Sequence, residues 1–191
     1  SGGNDQFFEQ SAEVLLTSII YLIHYYYPKE SQNWSTFVKL LDATCVYTSK
    51  DGSIDNRAGG ILDIAKKAQK YWKEEKHMET DFPGYVAVEK YYNGAAETTS
   101  SIVASLDAHC RYMKLECVVD LLSEDEIKIA KSFGYSKPCK EAPAGKRILF
   151  IVTSEDKRYY DWIPSMVYSL YFDELYHLTA IDPNLHETLP Q

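Results

Sequence analysis

Apolar residues recur at helical spacing along most of the chain. Near the start Phe8, Ala12, Leu15, Leu16, Ile19, Ile20, Ile23 and Tyr27 form one stripe, which predicts a long central core helix capped by Asn4 or Asp5 and stopped by Pro28. Asn33 or Ser35 opens a second helix with Phe37, Val38, Leu41 and Cys45 on one side, and the polar turn cluster Thr48 to Ser53 closes it. From Ala58 to about His77 a third helix turns Ile61, Ile64, Ala65, Ala68 and Trp72 inward, while Lys66, Lys67, Lys70, Lys73 and Lys76 crowd its outer face. Asp81-Phe82-Pro83-Gly84 resets the chain, and Tyr85, Val88, Tyr91, Tyr92 and Ala95 give a fourth stripe. Gly94 weakens its end. The polar run Glu97 to Ser101 then leads into Ile102, Val103, Leu106, Cys110 and Met113, which is read as a bent or tightly kinked continuation rather than a new helix.

Further on the pattern changes. Ser123 and Glu126 have capping-box spacing ahead of Ile127, Ala130 and Phe133, and Gly134 supplies a stop. Residues 137–145 mix Pro, Gly and charge as a linker does, so a domain boundary is placed there, with a helical domain over 1–142 and a strand plus helix over 143–191. After Arg147 come five apolar residues, Ile148 to Val152, with no polar alternation, as in strands covered on both faces of a parallel sheet. One strand cannot make a sheet, so its partners must lie elsewhere. The expected fold class is mainly α, a bundle-like helical domain followed by a short strand-helix piece.

Composition narrows the function. At 191 residues with 45% hydrophobic content the chain can close one sizeable core, alone or with a fragment of another domain. A formal charge of -8 argues against a surface built mainly to hold phosphate backbones and favours protein partners. Cys45, Cys110, Cys117 and Cys139 stand at irregular distances with no Cys-x-x-Cys pair, which suits reduced thiols in a cytosolic setting. Sixteen tyrosines suit half-buried positions at the edge of a core. The longest apolar segment, Val14 to Ile23, is interrupted by Thr17 and Ser18 and falls short of the roughly 20 residues that span a bilayer. Ser1-Gly2-Gly3 lacks a signal-peptide core and reads as a linker or cloning scar.

Few residues form a chemical motif. A phosphate-cradling loop is missing: the single Gly-Lys pair, Gly145-Lys146, precedes the strand, and Arg147 follows in place of Ser or Thr. Adjacent His109 and Cys110 point about 100° apart on a helix and do not face each other as base and thiolate. His24, His77, His177 and His186 lack metal-ligand spacing, so no catalytic, cofactor or metal site is expected. Glu155-Asp156 lies just beyond the strand, where α/β folds carry functional loops, but a solvated loop is the plainer account. The best local candidates for a partner or DNA contact are Lys66, Lys67, Lys70, Trp72 and Lys73. Glu74 and Glu75 mute that face, and given the acidic total a solvated helix surface is favoured over a nucleic-acid contact.

Three segments in order along the chain resemble the TraG/TraD family of type IV secretion coupling proteins, hexameric ATPases that hand DNA and relaxase to a conjugative channel. Asn4-Asp5-Gln6-Phe7-Phe8-Glu9-Gln10-Ser11-Ala12-Glu13 with Leu15-Leu16 is similar to the start of the all-helical domain inserted in that family's nucleotide-binding domain. Residues 85–102, from Tyr85-Val86-Ala87-Val88 to Thr98-Thr99-Ser100-Ser101-Ile102, resemble the middle of the same insertion. Ile148 to Val152 and Ser165-Met166-Val167-Tyr168 through Phe172-Asp173-Glu174-Leu175-Tyr176 look like the strand and helix that re-enter the ATPase core. Ser154-Glu155-Asp156 departs from the Pro-Asp expected there, and Pro164 requires the final helix to start near Asp161 or Trp162.

The resemblance implies a substrate-recognition domain that recruits a relaxase or relaxosome accessory protein, and with it DNA. It assigns ATP and Mg to a parent hexamer anchored at the cytoplasmic membrane, with the phosphate loop and Asp-Glu strand outside this stretch, and leaves the fragment itself without a cofactor, soluble and monomeric. Two alternatives from other classes stay open. One is a hydrolase or thiol enzyme whose site is assembled from distant residues; the other is a single-stranded DNA-binding module using the lysine face.

Overall fold

α-Helices make up nearly all the regular secondary structure of the described residues, and each starts or stops where its local chemistry dictates. The structure, a computed structural model, describes residues 2–124, 151 and 160–181. The chain divides into two units, Ser1–Glu124 and Asp125–Gln191. The boundary expected between 142 and 143 lies outside the described residues.

In the first unit α1 (Gly2–Tyr21) continues into a π-helical turn, Leu22–Tyr26. It packs against α2 (Trp34–Ala43), α4 (Tyr85–Tyr92) and α5 (Ala96–Cys110), while α3 (Ile61–Glu74) lies on α4 and the π turn. A 3-10 turn, Arg111–Lys114, leads into α6 (Glu116–Leu122), which packs back on α2. The core is one cluster built around Leu15, Ile19, Leu22, Leu40, Ile61, Ala65, Phe82, Ile102 and Leu106. Burying side chains of this size contributes about 1.5–3 kcal/mol each for the larger ones, enough to hold short helices that would be marginal alone.

Several expectations need correction. α1 already runs from Gly2, so neither Asn4 nor Asp5 opens it. Its stripe also slips at the end: the Tyr27 amide donates to the Leu22 carbonyl at 3.2 Å, five residues back, and the wider turn buries Leu22 at 1% exposure while leaving Ile23 half-buried. Ile20, taken as core, is 51% exposed. α2 stops at Ala43, where the Thr44 hydroxyl donates to the Leu41 carbonyl at 2.6 Å, so Cys45 falls past the helix and is exposed. Of the two proposed caps for α2, Asn33 serves: its side chain accepts from the Thr36 amide at 3.0 Å.

α3 is shorter than its pattern at both ends. Gly59 at φ +82° keeps Ala58 out of the helix, and the chain leaves α3 well before His77, which sits at φ +52°. Leu62, which the stripe omitted, is fully buried. The stretch after α4 is a new helix and not a bent continuation, because Asn93 and Gly94 end α4 and Ala95 is extended at φ -67°, ψ 130°. Thr99 then turns into the core and donates to the Tyr91 carbonyl, and to the Ala95 carbonyl at 3.2 Å, which ties α5 to the end of α4. α6 was not foreseen. Ser123 donates back to the Asp120 carbonyl at 2.8 Å, and the rest of its expected capping box, from Glu126 to Gly134, lies outside the described residues.

In the second unit α7 (Trp162–Ile181) begins where Pro164 requires, with the Ile163 amide on the Tyr160 carbonyl at 3.0 Å and the Pro in the first turn. The expected strand Ile148 to Val152 lies outside the described residues except for Ile151, which has no regular structure. No strand occurs among the described residues, and their one β feature is an isolated bridge between Thr48 and Ile54. No described helix is long and apolar enough to cross a membrane.

Candidate functional site

Helix α3 divides its expected contact residues between two faces. Lys66, Lys67 and Lys70 are exposed, whereas Trp72 turns inward and packs its ring at 5.5 Å from Phe82 and 5.7 Å from Tyr25. The indole nitrogen of Trp72 is buried without a hydrogen-bond partner, so the ring contributes to packing and leaves little face for a base to stack on. The lysines are matched by carboxylates from the same neighbourhood. Lys67 meets Asp63 at 2.8 Å, Lys70 meets Glu74 at 3.8 Å, and Lys73 meets Asp81 at 3.5 Å and donates to the Glu79 carbonyl. The first pair is anchored: the Gly59 amide, donating at 2.8 Å, and then the Lys67 ammonium hold the Asp63 carboxyl below its usual range. Pairs whose ammonium groups stand in water add little stability, but they offset the positive field that a phosphate backbone would need. Lys66 stands outside these pairs.

A different region is concave. Between the end of α2 and the start of α3 the segment 44–60 folds over the surface, and Arg57 lies flat on the Tyr47 ring with its guanidinium carbon 3.4 Å from the centroid. A turn at its tip is closed by Asp51, which accepts from the Ser53 amide at 3.1 Å, and by Gly52 at φ +84°. Two cavities flank this segment and share Cys45 and Tyr47 in their walls. The first, of about 340 Å³, has Asp42, Asp55, Asp63 and Arg57 around it and Tyr92 in its wall. The second, of about 470 Å³, is an open trough over Leu41, Val46, Val103 and Leu106, with Asp107 and Lys114 at its rim.

Hydrogen bonds fix these walls. Tyr92 donates its hydroxyl to the Thr44 carbonyl, and burial pushes that hydroxyl's pKa well above the ordinary tyrosine range. Lys114 reaches Asp107 at 2.8 Å and Asp42 at 3.0 Å, and the hydrogen bond to Asp107 is the first cause of its raised pKa. Trp34 donates from its ring nitrogen to the Met113 carbonyl at 3.0 Å, which ties α2 to the turn carrying Lys114.

Cys110 and His109 do not pair as thiolate and base. Cys110 is buried, desolvation raises its pKa, and the ring of His109 lies 2.7 Å from the Ser105 carbonyl of its own helix. No group of three or more His, Cys, Asp or Glu side chains able to hold a metal occurs among the described residues.

The trough was missed in the sequence because it joins residues about sixty positions apart. One signal was present: Asp107 and Lys114 stand seven apart with opposite charge at the end of an apolar stripe. Comparison with known proteins adds nothing to this geometry, since no family model, no curated protein and no solved structure matches the chain.

Proposed function

We propose that the chain is the substrate-docking part of a type IV secretion coupling protein of the TraG/TraD type, recruiting a relaxase or a relaxosome accessory protein, and through it DNA, for conjugative transfer. The observation that carries this proposal is the first unit, Ser1–Glu124, a mainly helical body that closes its own apolar core and contains the first two segments of family resemblance. A docking module needs a rigid body with concave, polar-rimmed surface and no reaction centre of its own. The trough over Val103 and Leu106 meets the first requirement.

In this scheme the helix Trp162–Ile181 belongs with the strand-helix piece that re-enters the ATPase core, and ATP with Mg is bound by the parent hexamer at the membrane. The alternative of direct single-stranded DNA binding along α3 is less favoured, because Lys67, Lys70 and Lys73 are already paired with carboxylates. The test is to immobilise the purified chain and measure binding of the relaxase encoded on the same element, beside an ATPase assay. Saturable relaxase binding without ATP turnover supports docking. Turnover that copurifies with the chain, or no relaxase binding at any salt concentration, overturns it.

A further inference from the structure

We infer that the trough beside Cys45 is a docking site for a basic and apolar segment of a partner protein, one that presents an arginine or lysine next to a large aliphatic side chain. This deepens the docking function proposed above and rests on it. Its floor is apolar, with Leu106 buried and Val46 and Val103 half-buried, and a volume of about 470 Å³ accommodates one or two aliphatic side chains. The rim carries Asp107 and Lys114, and Lys114 is shared with Asp42, which lines the neighbouring cavity. Both carboxylate side chains remain 60% exposed, so one ammonium serves two carboxylates and a negative charge is left over.

The neighbouring cavity does not cancel that sign: Asp42 and Asp55 line it with Arg57, whose cationic face is covered by the Tyr47 ring, and its Asp63 is already paired with Lys67. An incoming guanidinium can therefore pair with Asp107 while Lys114 stays on Asp42 and the aliphatic neighbour covers Val103, and a phosphate or acidic peptide would meet a cluster with one carboxylate in excess. The chain's net charge of -8 adds a long-range attraction for a basic partner. Complementary charge over an apolar floor thus selects one occupant, a basic and aliphatic protein segment, and disfavours nucleic acid.

The test uses the whole chain and three synthetic peptides of equal length, rich in leucine plus arginine, leucine plus glutamine, or leucine plus glutamate. Binding is read by fluorescence anisotropy and by the alkylation rate of Cys45, which lines both cavities, against the rate of Cys117 in α6. The leucine and arginine peptide should bind at least about tenfold more tightly than the other two and, at ten times its Kd, slow Cys45 alkylation about tenfold while Cys117 is unchanged. Asp107→Lys, at an exposed side chain, should weaken that peptide about tenfold, as should Ala104→Tyr, which fills the trough from an exposed position. Lys66→Glu on the outer face of α3 should leave it within about twofold. Equal binding of the glutamine or glutamate peptide, or affinity unmoved by both trough variants, overturns the inference. Relaxase binding that survives Asp107→Lys and Ala104→Tyr sinks the trough alone, whereas peptide binding without relaxase binding sinks the coupling-protein assignment alone.

Discussion

Replacing Gly84 with alanine tests how closely α1 and α4 approach. Gly84 is the N-cap of α4 at φ +84°, ψ -12°, and a Cβ built there would lie 2.7–2.8 Å from the side-chain oxygen, Cα and Cβ of Ser18 in α1. Two costs follow. A left-handed conformation costs an L-residue roughly 1–2 kcal/mol, and forcing an extra carbon into a filled contact costs typically about 1–3 kcal/mol more. The sum, about 2–5 kcal/mol, is a large fraction of the stability of a small domain. Ser18 cannot yield by rotating its side chain, because its backbone Cα is one of the clashing atoms and its hydroxyl already donates to Val14 at 2.9 Å.

Gly52 supplies the control. It has the same φ of +84° with nothing within 4 Å of the added carbon, so Gly52→Ala carries the conformational cost without the clash. Urea unfolding in a Trp162→Phe background, where fluorescence reports Trp34 and Trp72 of the first unit, gives both free energies. Gly84→Ala should lose about 1–3 kcal/mol more than Gly52→Ala. A difference below about 0.5 kcal/mol would refute the claimed contact between the two helices.

Other outcomes follow from single contacts. Asn33→Ala removes the cap on the Thr36 amide and should lower stability by about 1 kcal/mol in the same urea assay. Trp34→Phe keeps the ring but loses the 3.0 Å bond to Met113, so a loss of about 1–2 kcal/mol is expected, and a neutral result would remove that tie from the trough's support. The Tyr85 pKa is pushed up to about 12, first by the hydrogen bond its hydroxyl donates to Glu89 at 2.6 Å and then by burial. Because the unfolded phenol ionises near about 10, the stabilisation is complete below that pH and is lost as pH rises through about 12. Thermal midpoints measured from pH 9 to about 12 should fall less steeply in Tyr85→Phe than in the parent.

How much was legible in the sequence depended on whether the helical period ran unbroken. Ile61, Ala65 and Ala68 in α3 and Ile102, Leu106 and Cys110 in α5 keep the spacing of 3 and 4 throughout, and all are buried. Pro164 located the start of α7 because its ring is tolerated only in a first turn. Where the period broke, the pattern misled: a single π turn moved burial from Ile23 to Leu22, and apolar pattern alone does not announce such a turn. The seven-residue α6 is too short to show a period, and it is held by packing on α2 and not by propensity. The lysine face was visible with Glu74 muting it, but the Lys73 pair was not, since Asp81 lies beyond the end of α3 and reaches Lys73 only after the chain has turned back. The trough was invisible because periodicity says which residues are inside and nothing about which helices leave space between them.

The two surfaces also differ in how firmly their groups are held, and that difference favours the trough as the binding surface. Around it Tyr92 is bonded to Thr44, Trp34 to Met113, and Lys114 to carboxylates on both α2 and α5, so α2, α4, α5 and the 3-10 turn are tied across the sequence. Each tie removes freedom before any partner arrives, and a side chain ordered in advance costs less to use than one immobilised on binding, by about 0.5–1.5 kcal/mol. On α3, by contrast, the Lys67 and Lys70 pairs lie within one helix, and their ammonium groups stand in water that screens them. A partner using α3 would have to break those pairs and order the freed lysines. A partner of the proposed kind would meet in the trough a floor already formed and two carboxylates sharing one ammonium, so it would need less ordering there than on α3.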